Sequence, residues 1–159
     1  MNAMTELGYG PVRFRFGRKH QVTLYRDTRE DAGRVSLTAA AYALYHREHD
    51  QWVFDHRGRF KHPGNLVALD LEREPEFWII VGPCTWDRLE YTCRHVHAPV
   101  VWVFEHASLD ETIRQVRRAV HYRYTTGHLT LVAFHEPVED WIDPSDVQVD
   151  PERFSIHSF

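Results

Sequence analysis

The sequence is poor in cysteine and has no apolar run long enough to span a membrane. Its two cysteines, Cys84 and Cys93, lack the Cys-x-x-Cys spacing, so neither a disulfide framework nor a thiolate zinc site is indicated. The first eight residues lack the basic start and the apolar stretch of a signal peptide. We therefore expect a cytoplasmic protein with two reduced thiols and no membrane partner.

Motifs for nucleotide and zinc chemistry are also missing. No phosphate-cradling glycine loop, dinucleotide fingerprint or Ser-His-Asp arrangement is visible, which argues against a nucleotide cofactor. His46 and His49 do not match a known zinc spacing, and neither do His95 and His97. Histidines near the C-termini of helices are favoured by the helix dipole alone. We expect them to be solvated rather than to bind a metal.

Length and composition predict one domain over residues 1–159. The chain has 43% hydrophobic residues, enough for a core of its own. The net charge is -4, but the two ends of the chain differ in sign. Residues 1–34 carry seven basic and four acidic side chains, whereas residues 136–159 carry seven acidic side chains and one basic side chain, Arg153. We expect residues 1–10 to be a flexible leader. Residues 136–159 are expected to form an acidic extension packed on the domain, with one short strand at Val147–Val149.

The centre of the chain predicts a mixed β-sheet. Apolar runs at Leu66–Glu72 and Phe77–Val81, separated by Arg73–Pro75, predict an antiparallel hairpin. Thr85 is placed to cap a following helix. The uninterrupted apolar run Val100–Phe104 comes next, and the strand-helix-strand order predicts that it lies parallel to the second hairpin strand.

Further helices and strands are predicted on either side of this centre. Val12, Phe14 and Phe16 alternate with arginines, which predicts a strand paired with Val22–Arg26. The other predicted elements are a helix from Val35 to about His49, a strand at Trp52–Phe54, a helix from the Ser108–Glu111 capping box to about Tyr122, and a strand at His128–Phe134. The predicted fold class is α/β, with a mixed central sheet flanked by helices and an N-terminal β-hairpin.

The order of these elements over residues 35–104 is that of the core of metal-dependent nucleases of the restriction-endonuclease type. In that class, carboxylates of the hairpin hold Mg²⁺ ions that align water and stabilise the phosphate. The candidate carboxylates here are Asp70, Glu72 and Glu76. With the three-residue loop predicted above, Glu72 faces Glu76 and Asp70 faces Trp78. The alternative is a solvated hairpin tip without a metal.

Four segments of the sequence resemble the YaeQ family. They are Thr23–Arg26, Ala40–Tyr45, Glu76–Gly82 and the helix that carries Arg88, Leu89 and Cys93. Spacing from Thr23 to Tyr45, and again from Asn65 to Cys93, matches the family without gaps, and the resemblance covers residues 20–105. The resemblance implies a variant of the restriction-endonuclease-like fold of the PD-(D/E)XK type. It does not imply a particular activity, because none is settled for the family.

The resemblance also implies where the site residues of the family fall. Family acids or polar residues are replaced here at Asn65, Ile80, Pro83 and Gly33, whereas Glu30, Glu76 and Arg88 keep the family's residue type. Asn65 can still offer an amide oxygen to a metal, but Ile80 can offer nothing. The resemblance therefore implies a degenerate hydrolytic site, of which Asn65, Glu76 and Arg88 remain.

Two groups of basic residues predict a surface that binds nucleic acid. The groups are Arg114, Arg117, Arg118 and His121 on one helix, and Arg13, Arg15, Arg18 and Lys19 on the first hairpin. Such groups neutralise phosphates without regard to base sequence, and Tyr122 and Tyr124 nearby would allow base stacking. Because the protein is acidic overall, the alternative is a pair of solvated polar faces.

These observations give two main functional hypotheses. The favoured one is a nuclease-fold protein with a degenerate site and no cofactor, which acts as a binding or regulatory module for DNA, RNA or a protein partner. The other is an active Mg²⁺-dependent nuclease in which Asp70 and Glu76 bind the metal and Arg88 stabilises the phosphate. A subunit-interaction protein is a third class, and it would show an exposed apolar patch.

Overall fold

A computed structural model describes residues 10–26 and 31–159, which form two β-sheets and the helices around them. The strands are β1 (Gly10–Phe16), β2 (His20–Arg26), β3 (Trp52–His56), β4 (Gly64–Leu69), β5 (Pro75–Val81), β6 (Val100–Phe104), β7 (Leu129–Phe134) and β8 (Phe154–Ser158). The helices are α1 (Asp31–Tyr45), α2 (Trp86–His95), α3 (Leu109–Ala119) and the one-turn α4 (Tyr122–Thr125). Within these described ranges, no helix is long and apolar enough to cross a bilayer.

The central sheet has six strands, whose spatial order is their order along the chain. Strands β3, β4 and β5 pair antiparallel, β5, β6 and β7 pair parallel, and β8 returns antiparallel beside β7. Strands β1 and β2 form a separate antiparallel hairpin. The predicted fold class, with its mixed sheet, flanking helices and N-terminal hairpin, is confirmed.

Each face of the central sheet carries its own apolar core. Leu66, Ile79 and Val103 pack on one face against α1 and the β1–β2 hairpin. Trp78 and Ile80 point to the other face, where they pack with apolar side chains of α2 and α3. Successive residues of β5 therefore enter different cores because the side chains of a strand alternate in direction. This explains why the central strands read as continuous apolar runs rather than alternating ones.

The β4–β5 hairpin differs from its prediction in both length and register. Strand β4 ends at Leu69, and Val67 rather than Asp70 lies opposite Trp78. The Asp70 carboxylate Oδ1 accepts hydrogen bonds from the amides of Glu72 and Glu74, at 2.9 and 2.8 Å. This side-chain turn outcompetes the continued strand that the apolar pattern predicted. Glu72 is consequently a turn residue and does not face Glu76.

Other predicted elements also differ from the structure, among them α1, which begins at Asp31 rather than at Val35. Helix α1 ends at Tyr45 and is followed by a 3-10 turn at His46–Glu48, and α3 ends at Ala119. The strand predicted at Val147–Val149 is wrong, because this segment instead attaches to β1 through a 2.8 Å hydrogen bond from the Val147 amide to the Arg15 carbonyl. The strand of the C-terminal extension is β8. The expected leader, apart from Gly10, and Glu30 lie outside the described residues.

Candidate functional site

Asn65 and Arg88 are in contact at the end of the sheet where β4 begins and β5 ends, and this is where the resemblance places the hydrolytic site. Asn65 stands at the start of β4, and Arg88 lies in the first turn of α2, where the Arg88 amide donates to the Thr85 hydroxyl at 3.2 Å, the predicted cap. Asn65 Oδ1 accepts a hydrogen bond from the Val81 amide at 2.8 Å and another from Arg88 Nη2 at 3.1 Å. Arg88 Nη2 also donates to the Pro63 carbonyl at 2.8 Å. The contact thus ties β4, β5 and α2 together.

This contact is unfavourable to a divalent cation. Both acceptor positions of the Asn65 amide oxygen are used, one by a backbone amide and one by the guanidinium. Mg²⁺ requires oxygen ligands, usually with carboxylate charge, whereas the guanidinium places a permanent positive charge beside this oxygen. Ile80, the other position where the family acid is missing, is fully buried in the core beneath α2. The Asn65 end of the hairpin therefore has the chemistry of a structural clamp.

The two predicted metal ligands lie at the other end of the hairpin. Asp70 closes the β4–β5 turn, and Glu76 Oε2 lies 3.1 Å from His49 Nδ1. Glu76 and Val81 are separated along β5 by about 16 Å at the usual rise per residue. The structure therefore does not bring Asp70 and Glu76 together with Asn65 and Arg88. Across residues 10–26 and 31–159, no group of three His, Cys, Asp or Glu side chains is placed to hold a metal ion.

Sequence reasoning missed one carboxylate at the edge of the sheet where the parallel strands end. Glu105 directly follows β6, and its side chain is only 9% exposed. Its Oε2 accepts a 2.8 Å hydrogen bond from the Val138 amide, and its Oε1 lies 3.4 Å from His106 Nε2. Burial raises the pKa of Glu105, although the Val138 amide and His106 oppose this effect. The sequence feature that could have identified Glu105 is the position of an acidic residue directly after a fully apolar strand.

The arginines of α3 differ in whether they form an ion pair with an acidic side chain. Arg114 binds Glu111 through two hydrogen bonds, at 2.5 and 3.1 Å. Arg117 and Arg118 instead line a surface cavity of about 620 Å³ together with His121, Tyr122 and His157, and no acidic side chain contributes to its lining. Among the described residues neither arginine forms a hydrogen bond or a close ion pair, although the charge of Arg118 helps to lower the pKa of Glu111. We call this feature the basic cavity.

Aromatic rings give the basic cavity a stacking surface. Tyr122 is 73% exposed, and its ring stacks on that of His121 with 4.6 Å between centroids and an interplanar angle of 29°. The rings of His157 and Phe159 meet edge to face at 4.8 Å on another side of the cavity. Tyr124, by contrast, faces the guanidinium groups of Arg94 and Arg123 and is not part of the lining.

The second predicted arginine group lies on the opposite side of the central sheet. Arg13 and Arg15 are on the exposed face of β1, whose other face packs Val12 and Phe14 into the core that contains α1. Val116 of α3 belongs to the core on the other face. The structure therefore separates the two basic groups, and they do not form one continuous surface.

No protein-family model and no curated protein matches the sequence. The solved structures that match the fold include the YaeQ protein of Xanthomonas axonopodis pv. citri, with 17% identity, and the YaeQ protein of Pseudomonas syringae, with 16%. In each case the TM-score is 0.64, and the match covers 94% of this chain and 89% of the other. The resemblance inferred from residues 20–105 thus extends over almost the whole chain, which has the fold of the YaeQ proteins.

Proposed function

We propose that this protein binds nucleic acid through the basic cavity and does not cleave it. The observation that carries the proposal is the cavity of about 620 Å³, which is lined by Arg117, Arg118, two histidines and the exposed ring of Tyr122, without any acidic side chain. Unpaired arginines at a surface neutralise phosphates, and exposed aromatic rings stack on bases. The combination fits a polyanion with aromatic groups better than either feature alone.

The net charge of -4 limits how strong this binding can be. An acidic protein lacks the long-range attraction that a basic domain exerts on nucleic acid. Two arginines that neutralise two phosphates predict a slope of about -1.4 for log K against log salt with single strands. The proposal is therefore weak, local and salt-sensitive binding, as expected of a module that acts beside other factors.

The absence of cleavage follows from the Asn65–Arg88 contact. Hydrolysis in the nuclease class needs a metal ion next to the carboxylates of the hairpin. At the family position the protein places its own guanidinium beside Asn65, while Asp70 and Glu76 are engaged in a turn and with His49. No described contact favours the alternative Mg²⁺-dependent nuclease. The proposed module accordingly needs no metal cofactor.

Fluorescence anisotropy with a labelled single-stranded oligonucleotide tests the proposal, over salt concentrations from about 50 to 200 mM. The double variant Arg117→Gln/Arg118→Gln should lose about tenfold or more in affinity at the lowest salt. Arg114→Gln is the matched control on the same helix, because Glu111 already neutralises Arg114. It should bind within about twofold of the wild type. Undetectable wild-type binding, or equal losses in both variants, would refute the proposal.

A further inference from the structure

The basic cavity points to a more specific ligand, and this step rests on the proposed function. We infer that it receives an unpaired nucleotide of a single strand, with the base stacked on Tyr122 and the adjoining phosphates at Arg117 and Arg118. Double-stranded nucleic acid is then a poor ligand. Three features of the cavity carry this inference: its shape, its exposed ring and its arrangement of donors.

The shape favours a group that can enter a concave site. The cavity is a half-open cleft bounded by the end of α3, by α4, by the end of β8 and by Phe159. Its volume of about 620 Å³ lies in the range of small-molecule sites, roughly 300–1,000 Å³. In a duplex, the base faces are covered by their neighbours, so only the sugar-phosphate exterior could approach. An unpaired nucleotide can turn its base into the cavity.

The exposed ring of Tyr122 has one covered face and one open face. The His121 ring covers one face at 4.6 Å, and no other described aromatic ring contacts Tyr122. A base that stacks on the open face would extend this two-ring stack and remove apolar surface from water.

The donors surround the place where the phosphates would lie. His121 Nδ1 accepts a 3.2 Å hydrogen bond from the Arg123 amide. Because an accepting ring nitrogen carries no proton, the proton of the neutral ring is on Nε2, which leaves this atom as a donor. Together with the guanidinium groups of Arg117 and Arg118, it provides donors of positive or neutral charge, and no acidic side chain lines the cavity. Such a set suits one nucleotide and its flanking phosphates.

The test compares a labelled single strand with the blunt-ended duplex of the same sequence, using the full chain and anisotropy. The single strand should bind about tenfold more tightly than the duplex. Tyr122→Ala should lose about tenfold for the single strand and little for the duplex, whereas Tyr122→Phe should keep the wild-type affinity, because stacking needs the ring and not the hydroxyl. Circular dichroism checks that each variant is folded.

The outcomes separate this inference from the function on which it rests. Equal binding of single strand and duplex, or a Tyr122→Ala variant within about twofold of wild type, overturns the unpaired-nucleotide site. If the Arg117→Gln/Arg118→Gln variant is still impaired in that case, the proposed function stands, and the basic cavity binds phosphates without stacking a base. If neither probe binds at the lowest salt, both proposals fail.

Discussion

Arg88 Nη2 lies 3.1 Å from Asn65 Oδ1, at the position where the YaeQ resemblance places an acid. The same oxygen accepts the Val81 amide at 2.8 Å. The guanidinium thus places a positive charge beside this oxygen, and the contact joins β4 to α2. Because a fold does not by itself assign a function, the role of the contact has to be tested through its residues.

Substitutions of Asn65 distinguish a structural oxygen from a metal ligand. Asn65→Ala leaves the amide of Val81, a residue only 5% exposed, without its acceptor. We expect a loss of about 1–3 kcal/mol in the free energy of unfolding, measured by urea denaturation. Asn65→Asp keeps the acceptor and strengthens the bond to Arg88, so it should be at least as stable as the wild type.

The Asn65→Asp variant also tests whether an acid at this position is enough for metal binding. Because Arg88 would pair with the new carboxylate, we expect no Mn²⁺ binding in isothermal titration calorimetry. Tight Mn²⁺ binding by this variant would show that the guanidinium does not exclude the metal.

Asp70 is predicted to stabilise the hairpin turn without binding a metal. Asp70→Ala removes the acceptor for the amides of Glu72 and Glu74, and it should cost about 1 kcal/mol. For a protein of this size, that corresponds to a fall of roughly 2–4 °C in the melting temperature. Asp70→Asn retains an oxygen acceptor and should melt close to the wild type. A fall in the wild-type melting temperature on addition of EDTA would instead point to a bound metal.

The two cysteines should be unreactive in the folded protein. Burial raises the pKa of Cys84 to about 11, although Arg88 opposes the shift, and burial raises the pKa of Cys93 to about 12. At pH 8, only about one Cys84 thiol in a thousand is then ionised. Iodoacetamide should label both residues at least about a hundredfold more slowly than a free thiol, and at an ordinary rate in urea. Rapid labelling of folded Cys84 would contradict the burial argument.

Glu105 should make stability depend on pH. Its folded-state pKa is raised, chiefly by burial and further by Glu139 and Asp140, while the Val138 amide and His106 act in the opposite direction. The folded state therefore binds this proton at higher pH than the unfolded state does. Stability falls as pH rises from the ordinary carboxyl pKa through the raised one, and it stays lower above that value.

Glu105→Gln tests this sign because glutamine keeps an acceptor for the Val138 amide. In urea denaturation between about pH 4 and 8, the variant should show a flatter profile and should be at least as stable as the wild type near neutrality. Glu105→Ala, which leaves the fully buried Val138 amide unpaired, should be less stable. A Glu105→Gln variant that loses stability only near neutrality would mean that the ionised carboxylate is stabilising.

Local signals in the sequence predicted most of the fold. The strand Val100–Phe104 and its parallel pairing are confirmed. The predicted helix caps are confirmed as well, because the hydroxyls of Thr85 and Ser108 each accept a hydrogen bond from the backbone amide three residues further along the chain. These features depend on neighbouring residues, so they are visible in one sequence. Strand β8 was missed because an edge strand with polar residues, Phe154–Ser158, carries a weak apolar pattern.

The candidate site was harder to predict because it depends on distant residues. The Asp70 turn sets the register of β4 and β5. Because the predicted turn was too short, the prediction placed Glu72 in a strand opposite Glu76. The basic cavity joins α3 and α4 to His157 of β8, a strand absent from the prediction. The sequence identified Arg117 and Arg118, but it could not show that the close ion pair of Glu111 is formed with Arg114.

The most direct test measures binding and strand integrity in one experiment. A labelled single strand is titrated with the protein in EDTA and in Mn²⁺ at matched ionic strength, and each sample is then run on a denaturing gel. The account predicts similar affinity in both buffers and an intact strand throughout. Binding that requires Mn²⁺, together with cleavage that Glu76→Ala abolishes, would contradict it.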